Sequence, residues 1–165
     1  MKTLFLIRHA DSTWNDQLLN DHERPLNKRG IEDAPKMGEL LNANYAAPEK
    51  ILCSTALRAK ETANAIQAKW FPQQKVEFNV QLYEETTSTI LDIIDCTNQK
   101  INRIALFFHN PSITYLTNIL TSLSIPDIPT CGVAILESEV KNWKHLEVGS
   151  CNLLNFEYPE KKKEA

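Results

Sequence analysis

The sequence predicts an α/β protein, a three-layer α/β/α sandwich whose sheet is mostly parallel with an antiparallel edge. Two observations support this prediction. Short, continuously apolar segments alternate with longer segments whose apolar residues recur every three or four positions, which is the pattern of βαβ units with strands buried on both faces. Near the C-terminus, two apolar segments follow one another without a helical pattern between them, and this favours an antiparallel hairpin.

Four segments are predicted to be strands of the parallel part of the sheet. They are residues 3–9 (TLFLIRH), 50–54 (KILCS), 75–80 (KVEFNV) and 103–109 (RIALFFH), of which 75–80 has the weakest pattern. The first and last segments each end in a histidine, His9 and His109. Ligands of open α/β sheets bind at the carboxyl ends of the strands, so both histidines are predicted to lie where a ligand binds.

Helical patterns follow these strands. Residues 28–43 are predicted to be helical, although Pro35 within them removes a backbone hydrogen bond and favours a kink. The other three predicted helices have apolar residues three or four positions apart along one face. They run from Ala56 to Trp70, from Thr86 to Thr97 and from Ile113 to Leu123.

The C-terminal part is predicted to form the antiparallel edge of the sheet. Residues 132–138 (GVAILES) and 143–156 (WKHLEVGSCNLLNF) are the two strands, and a polar link at Glu139 to Asn142 joins them. Residues 160–165 (EKKKEA) are charged and are expected to fray. Because no repeat, low-complexity segment or linker interrupts the sequence, residues 1–165 are expected to form a single domain.

Composition excludes several classes of protein. Hydrophobic residues make up 42% of the 165 residues and charged residues 24%, far from the composition of disordered chains. The formal net charge of −3 gives no general attraction to nucleic acid or to an anionic membrane surface. Any site for an anion must therefore be local.

We expect a cytoplasmic monomer with reduced thiols. The four cysteines are far apart, and no CxxC pair or suitably spaced histidine indicates a zinc site. The apolar run near the N-terminus has only about five residues, fewer than the core of a signal peptide. No stretch reaches the ~20 apolar residues of a membrane span, so no membrane partner is expected.

A charged residue and a titratable ring stand where the first strand ends. Taken alone, the pair is explained more simply by structure than by function, with Arg8 as a buried ion-pair partner and His9 as a hydrogen-bonded core histidine. However, His109 ends another predicted strand, and Arg58 begins the helix after the 50–54 strand. In a doubly wound sheet these strand ends can be neighbours, and the four side chains then converge on one anion.

These residue types suit phosphoryl transfer. Arginine presents a planar fork of donors that matches phosphate oxygens, and it stays charged. Histidine acts near neutral pH either as a nucleophile or as a charged donor. Attack by His9 on phosphorus gives a phosphohistidine, which water then hydrolyses. Positive side chains can neutralise the charge that other enzymes assign to a metal ion, so we expect neither a metal nor a cofactor.

Four segments resemble the motifs of a known family. LFLIRHADSTWN at the first strand resembles its Arg-His-Gly motif with the trailing Ser-Thr-x-Trp-Asn, and PLNKRG at 25–30 resembles its Leu-Thr-x-x-Gly segment. CSTALRAKETA at 53–63 resembles the Ser-x-x-x-Arg-Ala-x-x-Thr-Ala helix start, and FFHNPSI at 107–113 resembles the segment with the second histidine. With all four in the right order, the chain resembles the histidine phosphatase superfamily, which has the phosphoglycerate-mutase-like fold.

The resemblance implies a role for each site residue. It makes His9 the phosphorylated nucleophile. It makes Arg8, Arg58 and His109 the residues that hold the phosphoryl oxygens. Asn15 matches an asparagine that donates to phosphate in the mutase branch of the family.

The sequence departs from the family pattern at one position and leaves another open. Ala10 replaces the usual glycine, a modest change if its φ stays negative. The general acid of the family is a glutamate, and LYEETT at 82–87 offers two of them. The Leu-x-Glu pattern favours Glu84, while Glu85 and the absence of a dedicated acid are the alternatives.

Four further side chains with rings are expected to be structural. His22 and His145 are expected to face solvent or sheet neighbours rather than phosphate. Trp14 and Trp70 can line the mouth of the site, but packing in the core or at the rim is the simpler expectation.

Length indicates a substrate class within the family that the chain resembles. Mutases and sugar-phosphate phosphatases of this fold are generally longer, whereas the short SixA-type members dephosphorylate phosphohistidine on proteins. With 165 residues the chain resembles the short type, and the expected partner is a signalling protein with a histidine-containing phosphotransfer domain. Two alternatives stay open: a phosphatase of a small phosphomonoester or sugar phosphate, and a pseudoenzyme that only binds phosphorylated partners.

Overall fold

The computed structural model describes residues 1–14, 19–83 and 86–159. Its six strands are β1 (Lys2–Arg8), β2 (Lys50–Cys53), β3 (Val76–Phe78), β4 (Arg103–Phe108), β5 (Val133–Ser138) and β6 (Asn152–Glu157). They form one sheet in the order β3-β2-β4-β1-β5-β6. The first four strands are parallel, while β5 is antiparallel to β1 and β6 is antiparallel to β5. The predicted mostly parallel sheet with an antiparallel edge is confirmed.

Four α-helices pack on the sheet, two on each face. They are α1 (Lys28–Asn44), α2 (Leu57–Trp70), α3 (Thr87–Asp95) and α4 (Ser112–Thr121). Apolar residues of α1 and α2 share one core with the sheet, and those of α3 and α4 share another. Within the described residues, no helix has the length and apolar character needed to cross a membrane.

The alternation of side chains along β1 produces the three layers. Phe5 and Ile7 lie in the core beneath α1 and α2, whereas Leu4 and Leu6 lie in the core beneath α3 and α4. Successive side chains of a strand point to opposite faces, so a strand covered on both faces is apolar at every position. The three-layer α/β/α prediction is confirmed.

Helix α1 continues through Pro35. A proline in a helix interior removes one hydrogen bond, at a cost of about 3 kcal/mol or a kink. Close packing on α2 offsets this cost: a Cβ on Gly38 would lie 2.9 Å from the Cβ of Lys69, so the two helices approach too closely for a side chain there. Met37 and Leu41 are also almost fully buried. Tertiary packing outweighs the local preference, as it does in most protein helices.

The predicted second strand of the hairpin, 143–156, was wrong over its first part, because β6 begins only at Asn152. A 3₁₀ turn at Trp143–His145 takes its place. The indole of Trp143 is fully buried, and its Nε1 donates to the carbonyl of Ile101 at 2.8 Å. The apolar residues of this segment therefore anchor a turn to the core, while His145 is exposed.

The last helix is shorter than its apolar spacing predicts. α4 ends at Thr121, and Ser122 adopts a left-handed conformation with φ 57°. Leu123, which was predicted to extend the buried face of this helix, lies beyond its end and is 43% exposed.

Candidate active site

The order of the strands brings the predicted site residues together. β4 lies between β1 and β2, so His9, which follows β1, and His109, which follows β4, are neighbours with ring centroids 5.3 Å apart. Arg58 lies in the first turn of α2, the helix that follows β2. With Arg8 these residues line one cavity of about 300 Å³ at the carboxyl edge of the sheet. The structure therefore places all four side chains together, as the sequence predicts.

His9 is held as a neutral ring. Its Nδ1 lies 2.7 Å from the carbonyl oxygen of Ala10, and because a carbonyl only accepts, Nδ1 carries the proton and Nε2 keeps its lone pair. Burial lowers the pKa of His9 to about 4, and the positive charges of Arg58 and Arg8 act in the same direction. At neutral pH the ring is thus uncharged, with one fixed tautomer and a lone pair on Nε2.

His109 is also neutral, and one of its two ring nitrogens is bonded to the protein. Burial, then the neighbouring His9 and Arg58, lower its pKa to about 3. The Oγ of Ser54 accepts from the backbone N–H of Ala56 and lies 2.7 Å from Nε2 of His109. This bond occupies Nε2 and leaves Nδ1 as the ring nitrogen available to a ligand. That Nδ1 is buried and has no partner among the described residues.

The two arginines predicted to hold phosphate, Arg8 and Arg58, are anchored at their tips. Nη1 of Arg8 donates to the carbonyl of Ile128 at 2.8 Å. Nη1 and Nη2 of Arg58 donate to the backbone carbonyl and the carboxylate of Asp21, at 2.7 and 3.1 Å. The Nε atoms of both arginines are buried and, like Nδ1 of His109, lack a partner within the described part of the chain. Unpaired buried polar atoms are rare and costly, so two guanidinium N–H donors and one ring nitrogen at a single cavity indicate a ligand with acceptor oxygens.

A threonine of the 53–63 motif fixes the backbone after His9. The Oγ1 of Thr62 accepts from the N–H of Ala10 at 2.9 Å and donates to the carbonyl of Arg58 at 2.7 Å. It thereby ties the loop after His9 to the helix that carries Arg58. Ala10 is not among the described residues with positive φ, so the condition under which alanine in place of the family glycine is a modest change is met.

The glycine of PLNKRG allows a close approach to the same loop. A Cβ on Gly30 would lie 2.1 Å from the carbonyl oxygen of Asp11, which is a severe clash. That carbonyl also accepts from the N–H of Asn27, the residue whose side chain caps α1. The start of α1 therefore supports the loop that follows His9.

Asp21 is a site residue that the sequence analysis missed. Its carboxylate contacts Arg58, accepts from Arg24 at 3.0 Å, and accepts from the hydroxyl of Tyr83 at 2.6 Å. Burial alone raises the pKa of Asp21, but the bond from Tyr83 and the charge of Arg58 outweigh it and bring the pKa to about 2. Asp21 is therefore ionised at neutral pH and holds no proton to give to a leaving group.

The remaining rings divide between the core and the rim of the site. Trp70 is buried in the core, as expected, whereas Trp14 lines the mouth of the pocket and is 75% exposed. His22 packs edge-on against Tyr83 with ring centroids 4.6 Å apart, and its Nε2 lies 2.8 Å from the hydroxyl of Thr55. His22 is thus near the site without lining the pocket.

Three residues weighed in the sequence analysis lie outside the described residues. They are Asn15, Glu84 and Glu85. Their described neighbours in the chain are part of the site region: Trp14 lines the pocket, and Tyr83 bonds to the carboxylate of Asp21.

Comparison with known proteins identifies the family. A model of the histidine phosphatase superfamily (branch 1) matches residues 4–85, which include Arg8, His9 and Arg58. The chain belongs to the histidine phosphatase superfamily. The family supports a phosphatase activity for this chain.

This member of the superfamily has relatives along nearly its whole length. It is 32% identical over 165 residues to an uncharacterized protein of Mycobacterium tuberculosis, a match that covers 93% of this chain and 99% of that protein. Its fold is similar to that of a protein from Agrobacterium tumefaciens assigned as a phosphohistidine phosphatase SixA (TM-score 0.83, 24% identity, 96% of this chain and 98% of that one). The protein histidine phosphatase SixA complexed with tungstate is also similar (TM-score 0.81, 20% identity, 95% and 97%). The predicted phosphoglycerate-mutase-like fold is confirmed.

The two neutral histidines make stability depend on pH. Unfolded histidine has a pKa near 6.5, whereas His9 and His109 have pKa values of about 4 and about 3 in the folded histidine phosphatase. At a pH between the folded and the unfolded pKa values, the unfolded chain binds more protons than the folded chain. The free energy of unfolding therefore falls as the pH decreases from about 6.5 to about 4. Urea unfolding of His109→Gln at several pH values is expected to show a shallower decrease than the unsubstituted protein.

His145→Gln is the matched control, because His145 is exposed. It is expected to keep the full pH dependence. If His109→Gln and His145→Gln have the same slope as the unsubstituted protein, His109 is not held neutral by the fold.

Proposed function

We propose that the chain hydrolyses phosphoryl groups without a metal, through a phosphohistidine formed on His9, and that its substrate is phosphohistidine on a signalling protein. The observation that carries the proposal is a set of three buried nitrogens at this cavity, Nε of Arg8, Nε of Arg58 and Nδ1 of His109, which have no partner among the described residues. A phosphoryl group supplies three terminal oxygens that can accept from such nitrogens when they carry a proton.

The proposed reaction has two steps at one phosphorus atom. In the first, Nε2 of His9 attacks phosphorus, the bond to the leaving group breaks, and the leaving group takes up a proton. In the second, water attacks the phosphohistidine, inorganic phosphate leaves, and His9 returns to its neutral form. Nε of Arg8, Nε of Arg58 and Nδ1–H of His109 donate to the phosphoryl oxygens in both steps and stabilise the charge that develops on them.

Two features favour phosphohistidine as the substrate. The leaving group of phosphohistidine is an imidazole, which needs little help from an acid. Asp21, the carboxylate that contacts Arg58, has a pKa of about 2 and is ionised, so it offers no such help. The cavity of about 300 Å³ is at the small end of ligand pockets, and it suits a phosphoryl group whose carrier stays largely outside. The similarity in fold to SixA proteins agrees with this substrate.

A side-by-side assay tests the proposed substrate class. Phosphate release is measured from a phosphorylated histidine-containing phosphotransfer domain and from a panel of alkyl, aryl and sugar phosphates. A higher kcat/KM on the phosphodomain supports the proposal, and a clear preference for one small ester contradicts it. Tungstate, which binds a SixA protein of this fold, is expected to inhibit competitively. Tight binding of the phosphodomain without turnover indicates a pseudoenzyme.

The identity of the general acid gives a second test. If Glu84 protonates oxygen leaving groups, Glu84→Gln lowers kcat/KM for alkyl phosphates at least about tenfold, since a positioned acid contributes about 10²–10⁴-fold. Phosphohistidine hydrolysis is expected to change little, and aryl phosphates with acidic phenols to fall in between. Glu85→Gln is the matched control: an effect there alone assigns the acid to Glu85, and silence of both variants means that the chain has no dedicated carboxylic acid.

A further inference from the structure

Positive and negative charges balance around the pocket before any substrate binds. Three guanidinium groups line it, those of Arg8, Arg24 and Arg58, together with the carboxylate of Asp21. Asp11 also lines the cavity, and Asp127 lies 3.8 Å from Nη1 of Arg8. Among the described residues, three carboxylates therefore stand beside the three guanidinium groups. Because both histidines are neutral, the positive charges of these arginines are matched by the negative charges of the carboxylates. The described pocket therefore has no extra positive charge for a second anionic group.

Arg24, the one pocket arginine not assigned to phosphate, is largely engaged by the protein. Its Nε and Nη2 donate to Asp21 at 3.1 and 3.0 Å. Its Nη1 donates to the hydroxyl of Ser12 at 2.8 Å and to the carbonyl of Thr13 at 3.0 Å. The guanidinium also stacks on Trp14, 3.5 Å from the ring centroid. These bonds use four of the five N–H groups of Arg24, so Arg24 offers little to a second anionic group on a substrate.

Asp21 places a negative charge beside the arginine that receives the phosphoryl group. Its carboxylate oxygen is 3.1 Å from Nη2 of Arg58, and its side chain is half exposed toward solvent. Tyr83 and Arg24 hold the carboxylate in this position through bonds of 2.6 and 3.1 Å. Two like charges a few ångströms apart at a protein surface repel each other, and this repulsion weakens the binding of a ligand that carries one of them.

We propose that Asp21 is a specificity-determining residue that disfavours substrates with a second negative charge next to the phosphoryl group. The inference rests on the proposed phosphatase function and narrows its substrate class. Phosphoryl groups on a neutral or cationic carrier, such as a protein imidazole, are accepted. Phosphate esters with a neighbouring carboxylate are repelled by Asp21 and gain little compensating contact from Arg24.

The test compares two substrates that differ by one charge. Phenyl phosphate and 3-carboxyphenyl phosphate release phenols of similar acidity, so the chemical step is matched and the carboxylate is the difference. The unsubstituted protein is expected to turn over the carboxylated ester with at least about tenfold lower kcat/KM, and added salt is expected to narrow the difference. Asp21→Asn is expected to bring the two esters close to parity, whereas Asp21→Glu keeps the preference.

Asp92→Asn is the matched control, because Asp92 is exposed on α3 and does not line the pocket. It is expected to keep the preference of the unsubstituted protein. The ratio of the two kcat/KM values is the readout, since Asp21→Asn also loosens Arg58 and lowers activity on both esters alike. Equal kcat/KM values in the unsubstituted protein, or an unchanged ratio in folded Asp21→Asn, overturn the inference.

Binding measurements separate this inference from the proposed function. Phenylphosphonate and 3-carboxyphenylphosphonate cannot be hydrolysed, and their Kd values are measured by calorimetry with the same variants. A preference for phenylphosphonate that Asp21→Asn removes supports the inference even if neither ester is hydrolysed, and in that case only the proposed phosphatase function fails. Equal Kd values for the two phosphonates overturn the inference even if hydrolysis is observed.

Discussion

His9→Ala is expected to abolish phosphate release from every substrate, with a loss of at least about 10⁴-fold, while the protein still folds. The imidazole of His9 is the only side chain that we propose as a nucleophile. Its Nδ1 is hydrogen-bonded to the carbonyl of Ala10. The side chain lies just beyond the end of β1 rather than within either core, so its removal leaves the packing of the layers in place. Steady-state kinetics measures the loss of phosphate release, and circular dichroism tests whether the variant is folded.

Labelling of the protein identifies the atom that attacks phosphorus. With a ³²P-labelled substrate quenched within the first turnover, the unsubstituted protein is expected to carry acid-labile, base-stable label, and His9→Ala none. His145→Ala, at an exposed position far along the chain, serves as the matched histidine control and is expected to label normally. Full activity of His9→Ala on any phosphate substrate would rule out the mechanism.

The convergence of the site could be predicted because local pattern and fold topology agree there. A strand buried on both faces is apolar at every position, so the first polar residues after it mark the carboxyl edge of the sheet. His9 and His109 each follow such a strand directly. The α/β pattern allowed these strand ends to be neighbours without fixing the strand order, and the position of β4 between β1 and β2 makes them neighbours.

The residues that orient the site could not be predicted in the same way. Asp21 reaches Arg58 across 37 positions of the chain, and Ser54 reaches His109 across 55. Both contacts depend on how loops and strand ends meet in space, and neither leaves a periodic pattern in the sequence. The late start of β6 has a related cause, because an apolar segment that anchors a turn through Trp143 has the same composition as a strand.

Arg58→Lys is expected to lower kcat/KM by about 10²–10³-fold, the loss typical for one donor to a developing oxyanion. One guanidinium does two tasks here: its Nη atoms bind Asp21, and its Nε is the buried donor without a partner among the described residues. A lysine ammonium is a single point of charge on a flexible stem and lacks the planar fork. If it pairs with Asp21 it cannot also reach the phosphoryl group.

The competition between these two tasks gives Arg58→Lys a distinctive signature. Tungstate inhibition is expected to weaken together with kcat/KM, because both depend on the guanidinium group of Arg58, which lines the pocket. In the double variant Arg58→Lys with Asp21→Asn, the ammonium is released from the carboxylate, and tungstate binding is expected to recover in part. Arg29→Lys is the matched control, because Arg29 on α1 does not line the pocket and pairs with Asp33 at a distance of 3.4 Å. This variant is expected to leave both tungstate inhibition and kcat/KM unchanged. If Arg58→Lys behaves like Arg29→Lys, Arg58 does not hold the phosphoryl group and the site must be reassigned around Arg8 and His109.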